Sequence, residues 1–377
     1  MISEHLAGGD CLNVGCVPSK ALLHCARVVR EARAAHEEGL FEGDAPAPSL
    51  DFGAVMARMR RLRAQIAPAD SHEATVGAGA DVYQGRGRFV GPNAIEVNGK
   101  TLRFKVAVVA TGGRAAVPPI PGLATAPYLT NATIFNLTSL PRRLVVLGAG
   151  AVGLEMAQAF RAFGSEVTVI VRSARVLSKE SVETSDALRD VLSSDGVRFL
   201  FESTVQSVKT LRDASDSAAT ANANASTAAS KLDTGSSLIE LVVQQAGGTS
   251  TLTLKCNALL VATGRVPNVT DLGLGEAGVS YKEAEGIEID DFGRTTNPSV
   301  YAIGDCAAGV PRFTHVAGEM AKLVVQNALF GDSWRVSSVR TCAPSRVAIH
   351  NLLLCITCFI CLPWCCPCRC PDLMHSW

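Results

Sequence analysis

The chain has 377 residues, 47% of them hydrophobic and 19% charged, a composition that excludes a disordered, collagen-like or coiled-coil protein. Its 35 basic residues balance 35 acidic ones and aromatics make up only 5%. Neither a basic field for nucleic acid or an anionic membrane nor a base-stacking surface is therefore expected.

A length of this order suggests two or three domains at roughly 150 residues each. The chain opens on a cysteine-bearing segment, LAGGDCLNVGCVPSK at 6–20. An alanine-rich stretch predicts a helix over 21–35, and a Pro/Gly-containing loop over 43–49 precedes a second, basic helix over 52–66. Short strands are expected at 80–84, 87–90, 94–97 and 102–104. The apolar run 106–110, ending in Thr111-Gly112, reads as a strand buried on both faces. Pro118, Pro119 and Pro121 stiffen the connector that follows.

A second unit begins near 142. A strand at 144–147, a tight turn at 148–153, a helix at 154–163 and a strand at 166–171 make one βαβ unit, which implies a parallel sheet. Further strands are expected at 197–201, 205–208, 239–244, 252–254 and 259–264. The Ala/Ser/Thr/Asn/Asp-rich segment 213–237 reads as a disordered insertion, because it offers too little apolar surface to bury. After Pro267 the first pattern returns, with a strand ending at 300–305 and a helix over 316–329. From about 333 no periodicity remains, and eight of the 13 cysteines crowd 342–370. The fold class is α/β with two Rossmann-like three-layer domains. The expected boundaries are 1–138 for the first, 139–267 for the second, 268–331 for the return to the first and 332–377 for an aberrant Cys-rich tail.

Two motifs carry chemistry. Gly148-x-Gly150-x-x-Gly153 follows an apolar strand and opens a helix, the context that identifies a dinucleotide-binding turn. The first glycine makes the turn, the second admits a pyrophosphate and the third lets helix and strand pack. At the end of the next strand stand Arg172 and Arg175, with no acid before Glu180. Arginines pair with a ribose 2′-phosphate where a carboxylate would repel it, so NADP(H) is favoured over NAD. The second motif is Cys11-x-x-x-x-Cys16, followed by Pro18-Ser19-Lys20. A small-loop redox disulfide fits this spacing, and Lys20 near a helix start favours a thiolate. A zinc site and a pair of inert buried thiols are the other readings. No metal ligand set is assigned.

The segment GGDCLNVGCVPSK at 8–20 resembles the redox-active disulfide of the class I pyridine nucleotide-disulfide oxidoreductases, and its detail is most similar to the mercuric-reductase-like branch. The resemblance continues through ATG at 110–112, the glycine turn up to Glu155, ATGRVPN at 262–268 and YAIGD at 301–305. It implies that Cys11 is the interchange thiol that meets substrate and Cys16 the thiol against the flavin. It further implies that Lys20 sits near the flavin and pairs with Glu155, and that Asp305 binds the FAD ribityl chain. Gly87, Thr111, Gly112 and Thr314 would complete the FAD pocket. Gly148, Gly150, Ala151, Val152, Gly153, Glu155, Arg172, Arg175 and Gly264 would hold NADP. Electrons would then pass from NADPH through FAD and the Cys11–Cys16 disulfide to a sulfur-containing small molecule or a metal ion. A dihydrolipoamide dehydrogenase-like enzyme and a non-catalytic NADP-binding fragment are the alternatives.

Measured against that resemblance, only ten residues precede Cys11, so the family's first FAD fingerprint is expected to be absent. No His-Pro-x-x-x-x-Glu follows the last motif, so the C-terminal dimerisation domain of the family's homodimers is also expected to be missing. In the tail, the spacing of Cys355, Cys358, Cys361 and Cys365 is open to an iron–sulfur reading, the apolar stretch to membrane attachment by acylation and the vicinal pair Cys365-Cys366 to a metal-thiol reading, beside no role at all. The cysteine-poor body and the lack of an apolar leader point to the cytoplasm, with mitochondria as the alternative if residues precede Met1.

Overall fold

The computed structural model describes residues 1–41, 49–211, 238–245, 250–331 and 335–336. The insertion expected at 213–237 and all of the Cys-rich tail but residues 335–336 lie outside the described residues, as does most of the loop expected at 43–49. Seven α-helices are described: α1 (Gly9–Val14), α2 (Cys16–Glu37), α3 (Phe52–Ile66), α4 (His72–Gly77), α5 (Ala151–Phe163), α6 (Val182–Ser194) and α7 (Thr314–Phe330).

The glycine turn leads into a five-stranded sheet, in the order Arg198–Leu200, Glu166–Ile170, Arg143–Leu147, Ala258–Val261, Tyr128–Leu129. Every pairing in it is parallel. Its central strands are buried along nearly their whole length, as continuous apolar runs require. A three-stranded antiparallel sheet, Thr204–Leu211 with Leu238–Gln244 and Thr251–Cys256, covers one side. Val205, Val208, Ile239, Leu241 and Val243 pack there with Val145, Leu147, Leu259 and Val261 in one core.

A second core gathers residues from both sides of that unit in sequence. Phe89 and Val109 join Val269, Leu274, Ile287, Val300, Met320 and Val324. Here Val300–Ala302 pairs in parallel with Ala107–Val109. This strand corrects the expectation for 106–110. Only Ala107–Val109 is extended, and it is not buried on both faces: Val106 and Val108 are each 44% exposed. Among the described residues it pairs on one edge alone, and only the Val109 side enters the core.

The two halves are joined by a crossed ribbon. Gly113–Ala115 runs antiparallel to Arg265–Pro267, and each strand follows an ATG triplet. The bonds mirror one another: the Ala116 N–H donates to Gly264 O (2.9 Å) and the Asn268 N–H to Gly112 O (2.9 Å). The Thr263 hydroxyl donates to Ala116 O (2.7 Å) and the Thr111 hydroxyl to Asn268 O (2.6 Å).

Candidate active site

The two thiols stand where one short helix ends and a long one begins. α1 carries Cys11, Gly15 turns the chain, and α2 starts at Cys16 itself. A side chain at Gly15 would collide with the Asp10 carbonyl at 2.7 Å, so glycine is what lets α1 fold back on the start of α2. Pro18 lies in the first turn of α2, where its missing N–H removes no helical bond.

Cys16 is exposed and Cys11 half-buried. The Cys16 thiol is lowered from 9.0 to about 6, first by a hydrogen bond with Cys11. Burial opposes this, and then Thr314 and the Lys20 charge lower the value further while Glu155 raises it. Thr314, the first residue of α7, places its Oγ1 3.7 Å from the Cys16 sulfur. Three other cysteines behave in the opposite way. Burial raises the thiols of Cys25 and Cys306, and pushes that of Cys256 up to about 12. Only a thiolate attacks a disulfide or binds a soft metal, so Cys16 is the poised member of this set.

One turn along α2, Lys20 Nζ donates to Glu155 Oε1 at 2.5 Å. Glu155 lies in α5, so this ion pair ties the thiol-bearing helix to the helix opened by the glycine turn. The Lys20 side chain is 35% exposed and that of Glu155 13%. Replacing Lys20 with Met should cost roughly 2 kcal/mol, below the figure for a fully buried pair because water reaches the lysine. Denaturant unfolding measures it; a loss under about 0.5 kcal/mol would refute the claim that the pair holds α2 to α5.

The glycine turn is built as its spacing requires. Gly148 has φ +109, and a Cβ there would meet Ala262 O at 2.5 Å. A Cβ on Gly153 would strike Gly148 O at 2.4 Å, whereas one on Gly150 would meet nothing within 4 Å. Gly150 also caps α5 without a side chain, leaving the first N–H groups of the helix open beside Ala151 and Val152. Gly264, at φ +143, likewise has open space where a Cβ would stand. Arg172 is exposed. Arg175 is half-buried, and its Nη1 is buried with no hydrogen-bond partner.

Of the remaining residues, Gly112 is left-handed (φ +69) with open space at its Cβ position. Thr111 lies in the crossed ribbon, and Asp305 Oδ2 accepts from Arg265 Nε at 2.8 Å. Gly87 packs against Ile2 and Ile95. Reading the sequence missed Arg265, Asn268 and Glu4. Arg265 and Asn268 lie inside the ATGRVPN string, whose recurrence of ATG was the available signal. Glu4 follows a two-residue strand, Ile2–Ser3, paired in parallel with Tyr83–Gln84, too short to show a period. No described helix is long and apolar enough to cross a membrane.

A family model described as pyridine nucleotide-disulphide oxidoreductase matches residues 1–321. A mercuric reductase of Bacillus cereus is 32% identical over 337 residues, covering 89% of this chain and 49% of the relative. One from Lysinibacillus sphaericus is 31% identical, covering 88% and 55%. A mitochondrial dihydrolipoyl dehydrogenase of Dictyostelium discoideum is 29% identical, covering 85% and 61%. The chain thus spans about half the length of the mercuric reductases it matches. In fold it is similar to the HOCl-induced flavoprotein disulfide reductase RclA from Escherichia coli, with a TM-score of 0.70 at 24% identity, over 89% of this chain and 66% of that one.

Proposed function

The chain belongs to the pyridine nucleotide-disulphide oxidoreductase family, and on that footing we propose that it carries the thiol chemistry of a flavin-dependent, NADPH-using, mercuric-reductase-like enzyme acting on a sulfur or metal-ion substrate. The observation that carries this reading is the pair Cys11 and Cys16, in hydrogen-bond contact with the Cys16 thiol lowered to about 6.

The residues present fit NADPH and part of an FAD site. For NADPH, Gly150 leaves a space that a Cβ would fill, at the open start of α5. The exposed Arg172, three residues before the half-buried Arg175, suits a 2′-phosphate. Gly148, Ala151, Val152, Gly153, Glu155 and Gly264 complete that site. For FAD, the open left-handed Gly112 leaves room, and the exposed Cys16 sulfur lies beside Thr314 at the start of α7. Lys20, Gly87, Thr111, Asp305 and Thr314 would hold the flavin. Glu4, at the end of a parallel strand, stands where dinucleotide folds place a ribose-binding acid.

Bound FAD supplies transfer of an electron pair from NADPH to a disulfide. The chain's own residues make that disulfide reducible. Cys11 and Thr314 hydrogen-bond the Cys16 sulfur and Lys20 sets a cation near it, so Cys16 leaves as a thiolate when the S–S bond breaks. Cys11 is then the thiol offered to substrate.

Disulfide-oxidised protein given FAD and NADPH without oxygen is expected to gain two alkylatable thiols per chain, at Cys11 and Cys16, and none without FAD. NADH should act about 10–100-fold more slowly, the value of one or two charge-assisted hydrogen bonds. Replacing Arg172 and Arg175 with Ala should close that gap. NADPH binding with no gain of thiols would instead identify a non-catalytic nucleotide-binding fragment. Equal rates with NADH would favour the dihydrolipoamide dehydrogenase-like reading, to which the Dictyostelium relative is the pointer.

A further inference from the structure

α1 is six residues long, too short to hold its own shape in water. Side chains from three distant parts of the chain grip it. At its front, the Asp10 carboxylate accepts from Arg265 Nη2. Arg265 is itself fixed, donating from Nε to Asp305 Oδ2 (2.8 Å) and from Nη2 to Gly113 O (2.7 Å), while Arg312 donates to its backbone carbonyl. At its rear, Arg63 Nη1 donates to Asn13 O (3.1 Å) and Asn131 Nδ2 to Val14 O (3.3 Å). These last carbonyls of a helix have no partner within it. Asn13 closes the set from inside, its Nδ2 donating to Ala7 O and Gly9 O, both at 2.9 Å.

The three grips from outside fall on Asp10, Asn13 and Val14, which flank or separate Cys11 and Cys16. α2, which starts at Cys16, is anchored independently through Lys20 and through Arg33, whose Nη1 donates to Ala162 O (2.6 Å). What remains adjustable is the place of Cys11 relative to Cys16. We propose that Asp10, gripped by Arg265, and Arg63, gripping Asn13, are positioning residues that hold Cys11 at bonding distance from Cys16 and so set how stable their disulfide is. The inference rests on the reading above that these two thiols form a redox pair. A restrained thiol has a high effective concentration toward its partner, and loosening it lowers that concentration without touching either sulfur.

The test equilibrates the full chain with mixtures of oxidised and reduced dithiothreitol. Formation of one Cys11–Cys16 bond, with loss of two hydrogens, is matched by reduction of one dithiothreitol disulfide. Alkylation and mass spectrometry of the peptide holding both cysteines give the equilibrium constant. D10N is expected to lower the constant at least threefold, and R63M by a similar factor. R265A should lower it at least as far as D10N, and R265K, which keeps one donor, should fall between R265A and the unaltered chain. The double variant D10N/R265A should be no lower than R265A alone, because Asp10 acts through Arg265. A charge effect of Asp10 on the thiols would persist without Arg265, so additive losses overturn the proposal.

D10N alters a side chain that is 49% exposed, so its thermal unfolding midpoint should match that of the unaltered chain and separate positioning from general destabilisation. Constants within twofold of the unaltered chain in both D10N and R63M would overturn the brace while leaving the redox pair in place. An unaltered chain that forms no Cys11–Cys16 disulfide at any mixture would overturn both readings.

Discussion

Iodoacetamide should alkylate Cys16 about ten times faster at pH 7.5 than at pH 5. A thiol held near 6 is almost entirely thiolate at the higher value and about one-tenth thiolate at the lower. An ordinary thiol would show little reaction at either. Cys11→Ala removes the hydrogen bond that contributes most to the lowering, so the half-point of the rate should climb back toward 9.0. Lys20→Met removes a smaller contribution and should move it less. The same shift makes the reduced protein's stability depend on pH, and the sign follows from its direction. Because the folded value lies below the unfolded one, the thiolate stabilises the fold fully above about pH 9, and that contribution is lost as pH falls through 6. The difference in stability between the reduced chain and Cys16→Ala should therefore grow between pH 6 and pH 9. A half-point for alkylation above pH 8 would refute the assignment of Cys16 as the poised thiol.

The three glycines of the turn should separate cleanly under substitution by Ala. Gly148→Ala forces a side chain into φ +109 and against Ala262 O, and Gly153→Ala drives a Cβ into Gly148 O. Each should cost about 3 kcal/mol, from backbone strain or overpacking, and lose nucleotide binding with it. Gly150→Ala meets no atom of the chain, so its unfolding curve should overlay that of the unaltered protein. Its affinity for NADPH should nonetheless fall at least tenfold, because the methyl occupies the approach that a pyrophosphate needs. Calorimetric titration beside denaturant unfolding reads both quantities. Unchanged affinity in Gly150→Ala would remove the dinucleotide assignment of this turn.

What could be read from the sequence was what short-range spacing encodes. The glycine turn, its flanking strand and helix, and the two thiols were legible because each obeys a local rule that no distant contact overrides. The start of α2 was not, since Pro18 suggests a boundary while the first turn of a helix tolerates it. α6 was missed although Ser181 caps it, accepting from the Thr184 N–H. Its apolar residues are too few for a clear period. The run 106–110 misled for a physical reason: an apolar sequence states what a strand can bury, and the neighbours decide what it does bury. The gripping of α1 by Arg63, Asn131 and Arg265 joins positions 50 to 255 residues apart, and no local spacing announces it.

The crossed ribbon has a consequence for how such a protein diversifies. The five-stranded parallel sheet and its antiparallel cover are one continuous stretch of sequence that leaves and re-enters the rest of the chain through two neighbouring, mutually bonded strands. A stretch with adjacent ends can be exchanged as a single genetic cassette, joined near Ala116 and Gly264, without cutting a sheet. The crossing combines backbone bonds with side-chain bonds from Thr111, Arg114, Thr263, Arg265 and Asn268, so an incoming sequence has to keep Thr263 at its end. Under the proposed function, choice of electron donor could thereby be inherited separately from the thiol chemistry it feeds.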